Sequence, residues 1–308
     1  MITVIIPCLN EGLAIERTLR ELYSTVGKKC QVIVIDNGSK DDTALIARQN
    51  GAEVYNEPIK GKGFAFRAGL NYVKPDSRAI VLVDGDSTYS LENLKRDIDF
   101  ILLEGFDMVV GNRVPDKNSS SHFRRGHKFG NRLVTIFFQK LFNYDISDTL
   151  SGYRVMSRGF ALSFTQGASQ FELEAELNVH AFHLKSPVKN VDIEYRSRPQ
   201  GSQSKLRTYG DGARILLRLF ALWRTERPLS AYMTTSFPFL VFGLALFSRA
   251  IVPFINTGKV PNLPSLVASI GLLLASTILA VAGVILDRTN VIRSSFSRYL
   301  YRQESRIK

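Results

Sequence analysis

Between Pro264 and Leu286 the chain runs 23 residues, PSLVASIGLLLASTILAVAGVIL, without a charged side chain. A helix needs about 20 apolar residues to cross the hydrocarbon core of a bilayer, whereas apolar runs of about 10–14 suit the buried helices of soluble proteins. The stretch is therefore expected to span a membrane. A second uncharged run, Leu229 to Ser248, precedes it, and Pro238 and Pro253 leave its limits open and predict a kink. The connection Ile255 to Leu263 (INTGKVPNL) is short and holds one lysine. Two transmembrane helices are predicted.

The charge distribution fits the same plan. Of the net +12, none resides in residues 1–195, which carry 24 basic and 24 acidic side chains. Residues 196–227 are net +6 and residues 287–308 net +4, so the excess flanks the hydrophobic pair. By the positive-inside rule both flanks, and with them the N-terminal domain and the C-terminus, are expected in the cytoplasm of an integral membrane protein. Binding to anionic lipid is favoured by about 1 kcal/mol per basic residue at such a surface. A neutral first domain argues against a nucleic-acid partner. Ile2 to Ile6 runs into Pro7 with no basic region or cleavage site, so no signal peptide is expected. Cys8 and Cys30 are expected reduced. The organisation expected is a first domain over 1–209, an interfacial amphipathic helix over 210–228, a two-helix hairpin over 229–286 and a basic tail over 287–308.

The first domain alternates β-branched runs with amphipathic ones. Strands are predicted at Thr3 to Ile6, Val32 to Ile35, Ala52 to Tyr55, Ala79 to Val83 and Met108 to Val110. Helices are predicted over Leu13 to Tyr23, Thr43 to Gln49, Phe64 to Tyr72 and Leu91 to Leu103. This pattern predicts an α/β fold, a mostly parallel, Rossmann-like sheet with helices on both faces. Ligands of such sheets bind beyond the carboxyl ends of the strands. There the chain places Asn10 and Glu11, Asp36 and Asn37, Asp84 and Asp86, and Asn112 and Arg113. In IVLVDGDSTY (Ile80 to Tyr89) a buried strand ends in two carboxylates separated by Gly85. Such a pair suits Mg²⁺ or Mn²⁺ shared with a substrate diphosphate. Glu172 and Glu176 lie four apart and are expected as a solvated helix face, with Glu174 pointing away. Glu176 and His180 have metal-ligand spacing but no further partners, which favours a structural role.

The ordered series VIIPCLNEG, VIDNGSKDDT, KGKGFAFRAGL, VDGDSTY, VGNRV, DTLSGYRVMSR, FELEAEL and RPQGSQSKL covers residues 1 to about 225. It resembles glycosyltransferase family 2 enzymes with the GT-A fold, of the polyprenyl-phosphate glycosyltransferase type that includes dolichyl-phosphate mannose and glucose synthases. The resemblance implies an inverting hexose transfer from a nucleotide sugar to a polyprenyl phosphate. It implies nucleotide-sugar binding by Pro7, Leu9, Asn10, Glu11, Asp36, Gly61, Lys62, Gly63, Asp84, Gly85 and Asp86. A metal would be held by Asp84 and Asp86, with Thr88 where relatives carry a Gln. Acceptor phosphate would meet Arg113, Arg124 (or Arg125), Ser151, Arg154, Arg198 and Lys205, with Asp86, Asp148 and Glu174 at the chemistry. A UDP-sugar such as UDP-glucose is the favoured donor and GDP-mannose the alternative. Two other readings stay open: a processive polysaccharide synthase, disfavoured by the lack of a Q-x-x-R-W motif and by only two spans, and a catalytically silent anchor. Gly271 and Ala275 leave a homo-oligomer possible.

Overall fold

The computed structural model describes the chain except for residues 116–124, 165–172, 199–219, 261 and 307–308. It divides into two compact units, Met1–Ile215 with Phe296–Lys308, and Leu216–Ser295. The first unit is a seven-stranded sheet in the order β3-β2-β1-β4-β6-β5-β7. Its strands are β1 (Ile2–Cys8), β2 (Gln31–Asp36), β3 (Glu53–Asn56), β4 (Ala79–Leu82), β5 (Met108–Pro115), β6 (Arg154–Ser157) and β7 (Val188–Tyr195). Its helices are α1 (Ile15–Val26), α2 (Thr43–Gln49), α3 (Lys62–Leu70), α4 (Leu94–Leu102), α5 (Arg125–Phe142), α6 (Arg158–Leu162) and α7 (Leu173–Leu184).

Val4, Ile5, Ile6, Ile33, Val34, Ile35 and Ile80 to Leu82 are all fully buried, so successive residues are covered on both faces of the sheet. Near-continuous apolar runs are what central parallel strands need when helices pack on both sides. Each such side chain contributes about 1.5–3 kcal/mol by leaving water. The five expected strands form. β6 and β7 were not among them: β6 has only four residues, and β7 (VKNVDIEY), at the sheet edge, opens with Lys189 and Asn190 side by side and alternates only from Val191 on.

β6 is the antiparallel member, paired with β4 and β5. Because Arg154 lies opposite Leu82, β6 begins at the rim where β4 ends. Residues 148–153 therefore arrive beside Asp84, although the two segments are far apart in sequence. β7 runs parallel to β5 and delivers Tyr195, Arg196 and Arg198 to the same rim.

In the second unit α8 (Pro228–Thr257) spans 30 residues, with Pro238 and Pro253 inside it and left-handed Gly258 as its cap. The 44-residue helix α9 (Leu263–Arg306) is continuous through the segment expected to be a separate tail. Both are long and apolar enough to cross a membrane, and Phe237, Phe242, Leu274 and Ile278 are exposed on them. Small residues bring the pair together: the Ser276 hydroxyl donates to the Ser236 carbonyl at 3.2 Å, and a Cβ at Gly243 would lie 3.0 Å from Leu273. Gly271 faces open space. The Arg293 guanidinium donates to both Glu226 oxygens at 3.0 and 2.9 Å. The last turns of α9 belong to the first unit, where the Tyr301 hydroxyl donates to Asp107, which also accepts from the Ser157 hydroxyl at 2.7 Å.

Candidate active site

The loops after β1 and β2 are tied to each other. Asn10, at φ 53°, accepts from Lys40 N–H at 2.7 Å and donates its own N–H to the Ser39 hydroxyl at 2.9 Å. Asp36 Oδ1 accepts from Ser39 N–H, and Glu11 N–H donates to the Thr43 hydroxyl. Asp41 accepts from Gly12 N–H and from Thr43, and these bonds outweigh desolvation and hold its pKa below the ordinary value. Pro7 ends the buried run of β1 and Leu9 follows at the rim. Asn37, which was read only as a rim residue, donates to the carbonyls of Glu57 and Ile59 and accepts from Gly61 N–H at 2.7 Å. Gly61 has φ 135°, a conformation that side chains resist, and it starts α3 with Lys62 and Gly63.

Lys62 pairs with Asp84 and donates to Glu174 at 2.5 Å. Burial works against its charge, but Asp84 and Glu174 outweigh this and raise its pKa. Gly85 is required by space, since a Cβ there would lie 2.6 Å from Cys8 Sγ. Asp86 is buried; its Oδ1 accepts from Thr88 N–H at 3.1 Å and from the Thr88 hydroxyl at 2.6 Å, and its Oδ2 from Arg198 at 2.7 Å. Burial, then the neighbouring Asp84, push its pKa up, while Arg198 and Thr88 oppose this. The stretch after the carboxylates is stapled to β7. Arg196 N–H donates to the Thr88 carbonyl, and its guanidinium reaches Glu21 at 2.9 Å and Ser90 at 2.9 Å.

On the other side of the rim, Arg113 donates Nε and Nη2 to the two Asp148 oxygens at 2.7 and 2.9 Å, and its Nη1 makes no hydrogen bond to a described residue. Burial lowers and Tyr89 and Asp148 raise the Arg113 pKa, with a net rise. Its guanidinium lies over the Tyr195 ring at 5.7 Å.

Several of the expected site residues are engaged within the protein. Arg154 is fully buried, with bonds to Asn178 Oδ1 at 2.7 Å and to the carbonyls of Ser151, Asp148 and Thr149. Burial pulls its pKa down to about 10 against Glu174 and Asp148, so it is still charged at neutral pH. It braces the 148–151 loop from within. Ser151 is also fully buried, its hydroxyl accepting from Tyr153 N–H at 3.4 Å. The Thr88 hydroxyl donates to Asp86 Oδ1 and so fixes the orientation of that carboxylate. Glu176, expected in solvent, is buried with Arg67 at 3.7 Å, whereas Glu174 reaches the site. His180 is buried among Phe160 and Phe164 and bonds the Ser163 hydroxyl, a core position. Arg124, Lys205 and Glu172 lie outside the described residues, as does the side chain of Arg125.

An α/β sheet with one antiparallel insertion, its two-carboxylate loop at the strand ends, defines a GT-A-like glycosyltransferase fold. The model of "Glycosyl transferase family 2" matches residues 3–162, and the chain belongs to that family. It is 30% identical over 246 residues to Glycosyltransferase AglJ of Haloferax volcanii, covering 80% of this chain and 79% of that protein. It is 29% identical over 214 residues to the same organism's dolichyl-phosphate hexose transferase, covering 70% and 90%. Among solved structures, glucosyl-3-phosphoglycerate synthase of Mycobacterium tuberculosis with Mn²⁺, UDP and product superposes with a TM-score of 0.56. The identity is 21%, over 73% of this chain and 79% of that one, a likeness of fold.

Proposed function

We propose that this glycosyltransferase moves a hexose from a nucleotide sugar, a UDP-sugar first and GDP-mannose second, to a polyprenyl phosphate at the cytoplasmic face of a membrane. The carrying observation is the placing, on one rim, of the Asp84–Asp86 loop and of Arg113, whose Nη1 makes no hydrogen bond to a described residue. The name of the dolichyl-phosphate hexose transferase relative supports a lipid phosphate acceptor. The two long apolar helices and the basic segments beside them support the membrane and its cytoplasmic side.

The donor set fits a hard divalent cation. Asp84 and Asp86 supply the oxygen donors such an ion takes, and since no cluster of three His, Cys, Asp or Glu side chains forms among the described residues, diphosphate oxygens and water would complete its coordination. Arg198 rests on Asp86 Oδ2, one positive group where another would bind. When bound, Mg²⁺ or Mn²⁺ supplies charge neutralisation to the leaving diphosphate. Lys62 adds a second positive charge at Asp84 and the start of α3, and Glu174 holds it there. A phosphomonoester has a second pKa of about 6, so the lipid phosphate is already an anionic nucleophile. A strong base is not needed. Asp148 is occupied on both oxygens by Arg113, and its part is to aim that guanidinium at the phosphate. In-line displacement by that oxygen inverts the anomeric centre.

The test is transfer from radiolabelled UDP- and GDP-sugars to undecaprenyl phosphate in detergent with Mg²⁺ or Mn²⁺, comparing wild type with Asp86→Ala. The expected result is a butanol-extractable product, abolished by EDTA and reduced at least about 100-fold in the variant. Polymer instead of glycolipid, or no product from folded wild-type protein, overturns the reading.

A further inference from the structure

We infer that Tyr89 is a positioning residue that locks the acceptor loop against the donor carboxylate, and so sets the distance between nucleophile and sugar. This rests on the reading of the site given above. Tyr89 is buried at the end of the two-carboxylate segment, and its hydroxyl accepts the N–H of Gly152 at 2.8 Å. Gly152 is itself buried and lies directly against the donor side. A Cβ there would fall 2.5 Å from Asp84 Oδ2 and 2.8 Å from Lys62 Nζ. The hydroxyl therefore fastens the 148–153 loop at the point where that loop touches the Asp84–Lys62 pair.

The ring is held from two further directions. It meets Tyr195 edge-on at 5.2 Å and Tyr153 at 6.1 Å, and the Tyr153 hydroxyl donates to Asp97 Oδ2 at 2.8 Å. Tyr195 in turn carries the Arg113 guanidinium over its face, and Tyr89 and Tyr195 form an antiparallel bridge. Tyr89 thus touches the loop that presents Asp148, the ring beneath Arg113 and the strand end that carries Asp84.

Tyr89→Phe keeps the ring and removes one oxygen. The expected result is a fall in kcat of tenfold or more, with the donor KM and the affinity for Mn²⁺ and nucleoside diphosphate within twofold of wild type. Amide hydrogen exchange in a peptide covering 148–153 should quicken while that of 79–83 stays unchanged. Gly152→Ala should do the converse and weaken donor affinity by crowding Asp84 and Lys62. Unchanged kcat in Tyr89→Phe overturns the inference, as does parallel loss of kcat, donor affinity and thermal stability, the mark of a merely structural side chain. If wild-type protein makes no lipid product, the acceptor reading fails on its own, and exchange decides: quickening at 148–153 with intact donor affinity supports the link, and its absence overturns it.

Discussion

Single residues in this site are held by particular neighbours, and the substitutions that matter follow from those contacts. Arg113 grips Asp148 with two parallel hydrogen bonds, a fork that lysine lacks. Arg113→Lys should raise the acceptor KM about tenfold, the effect of roughly 1.4 kcal/mol, while donor affinity stays unchanged. Steady-state kinetics with each substrate varied separately check this. Gly85→Ala should cost about 1–3 kcal/mol, because its methyl would overlap Cys8 Sγ. Cys8→Ala in the same chain should restore most of that loss, a non-additive pair readable from denaturant midpoints in detergent. Asp84, Asp86 and Arg113 were legible in the sequence as polar residues at strand ends, whereas Lys62, Asp148 and Glu174 were legible only through the family resemblance. Tyr89 has no distinguishing pattern in the sequence, and Asn37 is legible there only as one more polar residue on the rim, because what each holds is set by the fold.

At the scale of elements, the antiparallel strand β6 is the least legible and the most consequential. Four residues with a buried arginine have neither helical nor alternating periodicity, yet their direction carries residues 148–153 to the rim. The buried face of α7 is hard to read from the sequence for a related reason. Spacing says which side chains share a face, but not which face the protein covers, and Glu176 is buried beside Arg67. The approach to α3 rests on Asn37, which gathers the carbonyls of Glu57 and Ile59 and the N–H of Gly61. Asn37→Ala leaves these groups without their partner and should cost about 1–3 kcal/mol. The loss should appear as weaker nucleotide binding in calorimetry, with the acceptor KM unmoved. The central strands, by contrast, were readable because apolar runs without alternation specify burial on both faces.

For the whole molecule, hydropathy and charge together made the division into a polar and an apolar part readable. The continuation of α9 to Arg306 was not, since after Leu286 the apolar run gives way to mixed charge that has the composition of a tail. Its docking through Tyr301 and Asp107 predicts that Tyr301→Phe lowers stability by about 1 kcal/mol. The midpoint of thermal unfolding of the detergent-solubilised protein checks it. Alkaline phosphatase fused within residues 256–260 should be active, and the same reporter fused at residue 308 inactive, if the charged flanks face the cytoplasm.

The rim is a row of charges already engaged with one another, four carboxylates against three cations: Glu174 and Asp84 around Lys62, Asp86 with Arg198, and Asp148 with Arg113. A nucleotide sugar brings two negative charges and its divalent companion two positive ones, so the visitor is neutral overall. Its arrival trades partners without changing the total. Donor affinity should therefore vary little between about 50 and 500 mM salt, whereas the doubly charged acceptor headgroup should bind more weakly as salt rises and screening shortens its reach.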